Sequence, residues 1–303
     1  MRAHATVAAV VVMASAPLLS VNRVVVDTAC GNSLALVADP SAPRQGSLVR
    51  LRVSGIPADT RLAGRMAGQP LHFSVESGHK ATAESFAAVP IDGDRSLGIV
   101  LFCSAGDRQD SLVIRLEART ANYPIDHLTV APRFATPPDS ATAERIRRES
   151  ERALDVAKSA HETPRLWSDP FMLPRQARIT SGFGHAREYN GTLTSRHMGT
   201  DFAGATGAPV RAVNRGVVRI VDAFFYGGNV VYVDHGAGLT SAYLHLSQQA
   251  VAGGDTVGRG QVIGRVGATG RVTGPHLHLI VRYGDVTVDP MSLFAIAGET
   301  SQR

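Results

Sequence analysis

The chain has 303 residues, 44% of them hydrophobic and 19% charged, which allows two domains of ordinary size and excludes a disordered protein. Its net charge of +5 suits acidic partners, but the 31 Lys and Arg residues form no block and no aromatic-basic interleaving, which argues against nucleic acid as a partner. The 30 glycines between short apolar runs point to a β-rich fold with many tight turns.

Arg2 precedes the run ATVAAVVVMASAPLL (Ala5–Leu19), a charged start and an apolar stretch of secretory length, too short for a transmembrane span. Residues 1–20 therefore read as a signal peptide, although cleavage after Ala16 would leave Pro17 first; a hydrophobic first strand is the alternative. No later apolar run is long enough to anchor the chain in a membrane. The two cysteines, Cys30 and Cys103, predict one disulfide in an exported chain, with two buried thiols as the alternative.

Residues 21–135 carry alternating segments. In SLVRLRV (Ser47–Val53), Val49, Leu51 and Val53 share a face opposite Arg50 and Arg52. In SLVIRLEA, Leu112, Ile114 and Leu116 oppose Val113, Arg115 and Glu117, and the apolar GIVLFCSA reads as a central strand. These strands predict a small, immunoglobulin-like β-sandwich. His72 and His79 lie within it with no third ligand beside them.

PRFATPPDS (Pro132–Ser140) interrupts the pattern and offers Asp139 or Ser140 as a helix N-cap. The following ATAERIRRESERALDVAKSA is rich in helix formers, pairs Glu144 with Arg148 at i,i+4 and has a narrow apolar stripe of Ile146, Ala153, Leu154 and Ala157. A surface helix spacing two domains is expected within a linker, residues 136–165. HETPR (His161–Arg165) begins like the H-E-x-x-H zinc motif, but Arg165 stands at the second histidine.

From about Phe171, GVVRIVDA, NVVYVDHG, LTSAYLHL, GQVIGRVG and HLHLIVRY read as strands of a second β domain. Gly258, Gly260 and Gly264 have neither the spacing nor the following helix of a dinucleotide fingerprint. GPHLHLIV (Gly274–Val281) places His276 and His278 in an apolar strand, and residues i and i+2 of a strand share a face. Two buried imidazoles on one face are costly unless something occupies them. Two more histidine segments precede this one: SRHMGTDFAG, with His197 and Asp201 four apart, and SAYLHLS, with His245. Zinc sites that do chemistry use three nitrogen or oxygen ligands and keep a fourth position open. His197, Asp201 and one of the strand pair would make such a set.

From Phe171 to Pro290 the chain resembles the lysostaphin-type (LytM-like) zinc metallo-endopeptidases, which cut peptidoglycan cross-bridges. The resemblance is carried by H-x-x-x-D, a strand histidine and H-x-H, supported by ITSGFG, GTDFAGATGAPVRAVNRGVV, VDHGAGLTSAYLHL and VGATGRVTGPHLHL. It implies a mainly β protein: an N-terminal sandwich, a linker helix and, over residues 166–298, a C-terminal antiparallel β-sheet metallopeptidase domain. It implies His197, Asp201 and His278 as ligands of one Zn2+, with His245 and His276 as catalytic partners; which of the two is the base stays open. It also implies peptidoglycan stem-peptide cross-links as substrate and a place in the periplasm or cell envelope, or secreted. Two other readings are a non-catalytic activator of other wall hydrolases and an exported protease for glycine-rich proteins. The presence of all five site residues favours catalysis. Tyr189 and Asn190 suit either a groove wall or a surface loop, while His185 and His235 read as structural.

Overall fold

The structure, a computed structural model, describes residues 24–298 apart from 29, 31–32, 58 and 77–81. The leader assigned to residues 1–20, and His79, lie outside the described residues. The first strands are β1 (Val24–Asp27), β2 (Ser33–Asp39), β3 (Leu48–Ser54), β4 (Arg61–Met66), β5 (Gln69–Leu71), β6 (Ser74–Glu76), β7 (Thr82–Ala88), β8 (Ser96–Ala105) and β9 (Arg108–Glu117). They form two antiparallel sheets, ordered β1-β2-β3-β7-β6 and β5-β4-β8-β9. Val49, Leu51 and Val53 of one meet Ile99, Leu101, Ile114 and Leu116 of the other in a common core. The alternation has a charged outer side: Arg50 pairs with Asp39, and Arg52 with Glu84 across β7. β8 lies between β4 and β9, but Phe102 is 43% exposed, so the apolar run GIVLFCSA faces solvent on one side. Cys30 and Cys103 form a disulfide that ties the start of the chain to β8.

Next come β10 (Ile125–Leu128), α1 (Pro132–Ala135) and α2 (Ser140–Ser159). Asp139 caps α2 by accepting from the Thr142 amide, as its place after the prolines suggests. The helix is not a free spacer. Ala153 and Ala157 are buried, and Ala153 packs with Ile220, Phe224, Val230 and Tyr232. Small side chains let the helix approach the sheet closely. Arg145 then donates to the Ala223 carbonyl, Glu149 accepts from the Phe225 amide and Arg152 pairs with Asp222.

The remaining strands are β11 (Ile179–Ser181), β12 (Ala186–Tyr189), β13 (Thr192–Arg196), β14 (Thr200–Ala203), β15 (Pro209–Arg211), β16 (Gly216–Phe224), β17 (Gly228–Gly236), β18 (Leu239–Gln249), β19 (Thr256–Val257), β20 (Val262–Val266), β21 (His276–Tyr283) and β22 (Val286–Val288), followed by α3 (Pro290–Ala297). The main sheet runs β11-β14-β21-β18-β17-β16-β19, with β15, β20 and β22 attached. A separate sheet, β10-β12-β13, joins the two halves of the chain, because β10 pairs in parallel with β12. Phe171, Phe202, Val231, Val233, Tyr243, Leu277 and Leu279 fill the core under the main sheet, and Leu48 and Ala88 of the sandwich belong to that same core. The Leu48 amide donates to Ser292 Oγ of α3 at 2.8 Å, and the Asp289 amide to the Gly46 carbonyl at 2.7 Å. Among the described residues no helix is long and apolar enough to cross a membrane.

Candidate metal centre and flanking histidines

β14 and β21 pair antiparallel with Asp201 opposite His278, so both side chains leave the sheet side by side. His197 arrives from the turn between β13 and β14. That turn passes so close to β21 that a Cβ at Gly199 would lie 2.4 Å from the Leu279 carbonyl oxygen and 2.7 Å from His278 Nε2. Glycine at this point of H-x-x-x-D is a steric requirement of the site.

His197, Asp201 and His278 are all buried and form a cluster that could hold a metal ion. Asp201 Oδ1 lies 3.0 Å from His197 Nε2 and 2.7 Å from His278 Nδ1, and the two ring nitrogens are 2.9 Å apart. Donors held about 2.0–2.1 Å from a tetrahedral ion stand about 3.3 Å from one another, close to this spacing. His197 Nδ1 donates to the Gly182 carbonyl at 2.7 Å, so in the neutral ring Nε2 offers a lone pair towards the carboxylate. Two acceptors facing at that distance repel, and a cation between them satisfies both. The residues fit a divalent ion with nitrogen and oxygen ligands.

Electrostatics keep the donors in their ligating forms. Burial pushes the Asp201 carboxyl up, but the adjoining His197 and His278 rings outweigh it and hold the group well below the usual carboxylate range. Burial pulls His278 down to about 4, against the opposing pull of Asp201, which leaves the imidazole neutral near pH 7.

The supporting contacts come from elements distant in sequence. Arg187 of β12 places NH2 2.8 Å from Asp201 Oδ2, leaving Oδ1 to the histidines. Ser181 Oγ lies 3.1 Å from His197 Nδ1 and donates to Asp126 Oδ2 of β10 at 2.7 Å, while His185 Nδ1 donates to Asp126 Oδ1 at 2.9 Å. Outer partners of this kind fix the orientation of metal-binding side chains. Replacing Arg187 with glutamine is therefore expected to weaken zinc binding about 10- to 100-fold. Competition against a chelator of known affinity measures this, and an unchanged affinity would remove Arg187 from the support of Asp201.

His276 and His278 leave the same face of β21, two residues apart. His276 Nδ1 donates to the Gly274 carbonyl at 2.8 Å, and its Nε2 lies 3.6 Å from Asp201 Oδ1. His245 reaches the group by a less regular route. On β18 a plain alternation would put it on the side of Tyr243, in the core. Instead its φ is +63°, and the β17–β18 register slips between Val231 and Asn229. This bulge turns the ring to within 4.9 Å of the His276 ring and 5.7 Å of the His278 ring, centroid to centroid. His245 Nδ1 donates to the Thr269 carbonyl at 2.8 Å, leaving Nε2 free. Burial, reinforced by His278 and His276, lowers its pKa well below 6.5.

The other singled-out residues fall outside this cluster. His235 is buried between the Arg215 carbonyl and Ser241 Oγ, each 2.8 Å away. Tyr189 is buried 3% exposed beside the site, and Asn190 bonds both the amide and the carbonyl of Val130. Arg187 and Asp126 belong to no spacing motif and nothing in the sequence singles them out, while Ser181 lies within the segment ITSGFG.

Residues 195–290 match Peptidase family M23. The peptidoglycan DD-endopeptidase ShyB of Vibrio cholerae is 44% identical over 117 residues, which are 38% of this chain and 27% of that protein. The DD-carboxypeptidase/endopeptidase Mpg of Neisseria meningitidis is 39% identical over 125 residues, 41% of this chain and 29% of that protein. The chain thus spans only 27% and 29% of the length of these two relatives. The crystal structure of an M23-type protein from Pseudomonas aeruginosa superposes with a TM-score of 0.64 at 27% identity, covering 84% of this chain and 96% of that one. That likeness extends beyond the matched segment into the sandwich and helix. The segment that matches Peptidase family M23, residues 195–290, holds the whole histidine-aspartate cluster.

Proposed function

We propose that the chain is a zinc-dependent endopeptidase that hydrolyses stem-peptide cross-links of peptidoglycan, with residues 166–298 as its peptidase domain and residues 21–135 as an accessory domain. The observation that carries this reading is the convergence of His197, Asp201 and His278 beside two further histidines, each with one ring nitrogen already committed to a backbone carbonyl. A bound zinc supplies Lewis acidity that polarises the scissile carbonyl and favours a water nucleophile near neutral pH. His245 takes the proton from that water, because burial keeps it neutral and its Nε2 is unengaged. His245 then returns that proton to the leaving amine, and His276, nearer the surface with its Nδ1–H committed to the Gly274 carbonyl, donates to the developing oxyanion through Nε2 in its protonated form. A cell-wall substrate places the protein in the envelope or periplasm, which suits the apolar leader-like segment at residues 1–20.

The test uses the purified, zinc-loaded protein, cross-linked muropeptide dimers and a pentaglycine peptide, with mass analysis of the products. Release of monomers from the dimers is expected. Cleavage of pentaglycine alone would move the substrate to glycine-rich chains. Cleavage of neither would favour a non-catalytic activator.

A further inference from the structure

Beside the catalytic histidines, Arg271 is held in an unusual way. Its guanidinium carbon lies 4.5 Å from the centre of the Tyr189 ring and 4.2 Å from that of Tyr226. Stacking of this kind orients the planar group and leaves its N–H edge for a ligand. Among the described residues no carboxylate or carbonyl of the chain bonds this guanidinium. Arg187, the neighbouring cation, is already paired with Asp201.

The clamp is built into the backbone of the site. The Arg271 amide donates to the Tyr226 carbonyl at 2.9 Å, and the preceding Gly270 has a φ of +77°. A Cβ there would lie 2.4 Å from both Gly228 N and the Tyr226 carbonyl oxygen, so the close approach needs glycine. The same two loops anchor His245: its amide donates to the Gly227 carbonyl and its Nδ1 to the Thr269 carbonyl, each at 2.8 Å. On the other side, Arg187 NH1 lies 3.4 Å from the Tyr189 hydroxyl. Tyr226 is braced in turn by Phe225 and Phe134, with ring centres 4.9 and 6.3 Å away. Burial lowers the Arg271 pKa from the ordinary arginine value, so solvent stabilises this charge poorly. An immobilised, poorly solvated guanidinium with no internal acceptor gains most from an incoming carboxylate, which it binds through two parallel hydrogen bonds.

We propose that Arg271 is a specificity-determining residue that binds a carboxylate of the peptide substrate close to the scissile bond. The inference rests on the peptidase reading above and narrows it to peptides carrying a free carboxylate near the cross-link. Neutral substrates such as glycine bridges would leave the guanidinium unpaired.

The experiment compares two cross-linked muropeptide dimers, one with free carboxylates and one with the same groups amidated, using zinc-loaded wild type, R271Q and R271K. Wild type should prefer the free-carboxylate dimer by at least about tenfold in kcat/KM, and R271Q should abolish that preference, through a KM about 10- to 100-fold higher on that dimer alone. R271K keeps the charge but loses the fork, and should retain part of the preference. Zinc content should match in all three proteins. An R271Q protein that keeps the preference, or loses activity equally on both dimers, would overturn the proposal. So would a wild type that cleaves both dimers equally well, which leaves the peptidase reading intact. Cleavage of neither dimer by zinc-loaded wild type would instead overturn the peptidase reading, and this inference with it.

Discussion

Replacing His197 or His278 with alanine is expected to remove bound zinc and reduce hydrolysis to background together. Each residue supplies one of three donors converging within 3.0 Å of one another. Two remaining donors cannot hold the ion in an open site of this type. Asp201, the third proposed ligand, needs a more careful substitution. Asp201 also neutralises Arg187, which has only 15% of its side chain exposed. Asp201→Ala would strand that buried charge and confuse lost metal with lost fold. Asp201→Asn keeps the shape and a hydrogen-bond acceptor, and should lose most of the zinc without unfolding. Thermal melts separate the effects: zinc at about 1,000 times its Kd stabilises the folded state by ~4 kcal/mol, a gain that all three variants should forfeit. A variant with a full complement of zinc would remove its residue from the ligand set.

Replacing His245 gives the opposite pattern: zinc stays and turnover goes. The residue sits at a φ of +63°, a backbone region that asparagine tolerates better than alanine, so His245→Asn is the cleaner test. Loss of a positioned proton acceptor lowers kcat by about 10²- to 10⁴-fold. Elemental analysis should still find near-stoichiometric metal, because the Nε2 of His245 takes no part in the donor cluster. Zinc loss matching that of His278→Ala would reverse the assignment of roles.

The pair His276 and His278 was legible because strand alternation has a fixed period, and β21 is a regular strand. The same rule explains the sandwich, where Val49, Leu51 and Val53 turn inwards as their spacing requires. It does not explain His245. Its sequence neighbours give it the parity of the core residue Tyr243, and only a bulge brings it to the metal face. Only the resemblance to a known family pointed to His245; the periodicity alone would have buried it.

The support of the site was hidden for a different reason. Arg187 meets Asp201 across 14 positions, and Asp126 meets Ser181 across 55. Such contacts arise from sheet pairing, β10 on β12 above all, and leave no local spacing to read. The helix α2 shows the same limit. Its narrow stripe of Ile146, Ala153, Leu154 and Ala157 suggested a surface helix spacing two domains, whereas Ala153 packs against the main sheet and Ala157 is buried beside it.

The central claim is that His197, Asp201 and His278 hold the ion while His245 and His276 face it unligated. Anomalous diffraction at the zinc absorption edge, on crystals of the zinc-loaded chain, tests this most directly. One peak is expected, about 2.0–2.2 Å from His197 Nε2, Asp201 Oδ1 and His278 Nδ1, with His245 and His276 beyond coordination distance. A peak ligated by His245 or His276, or no peak at this cluster, would contradict the account.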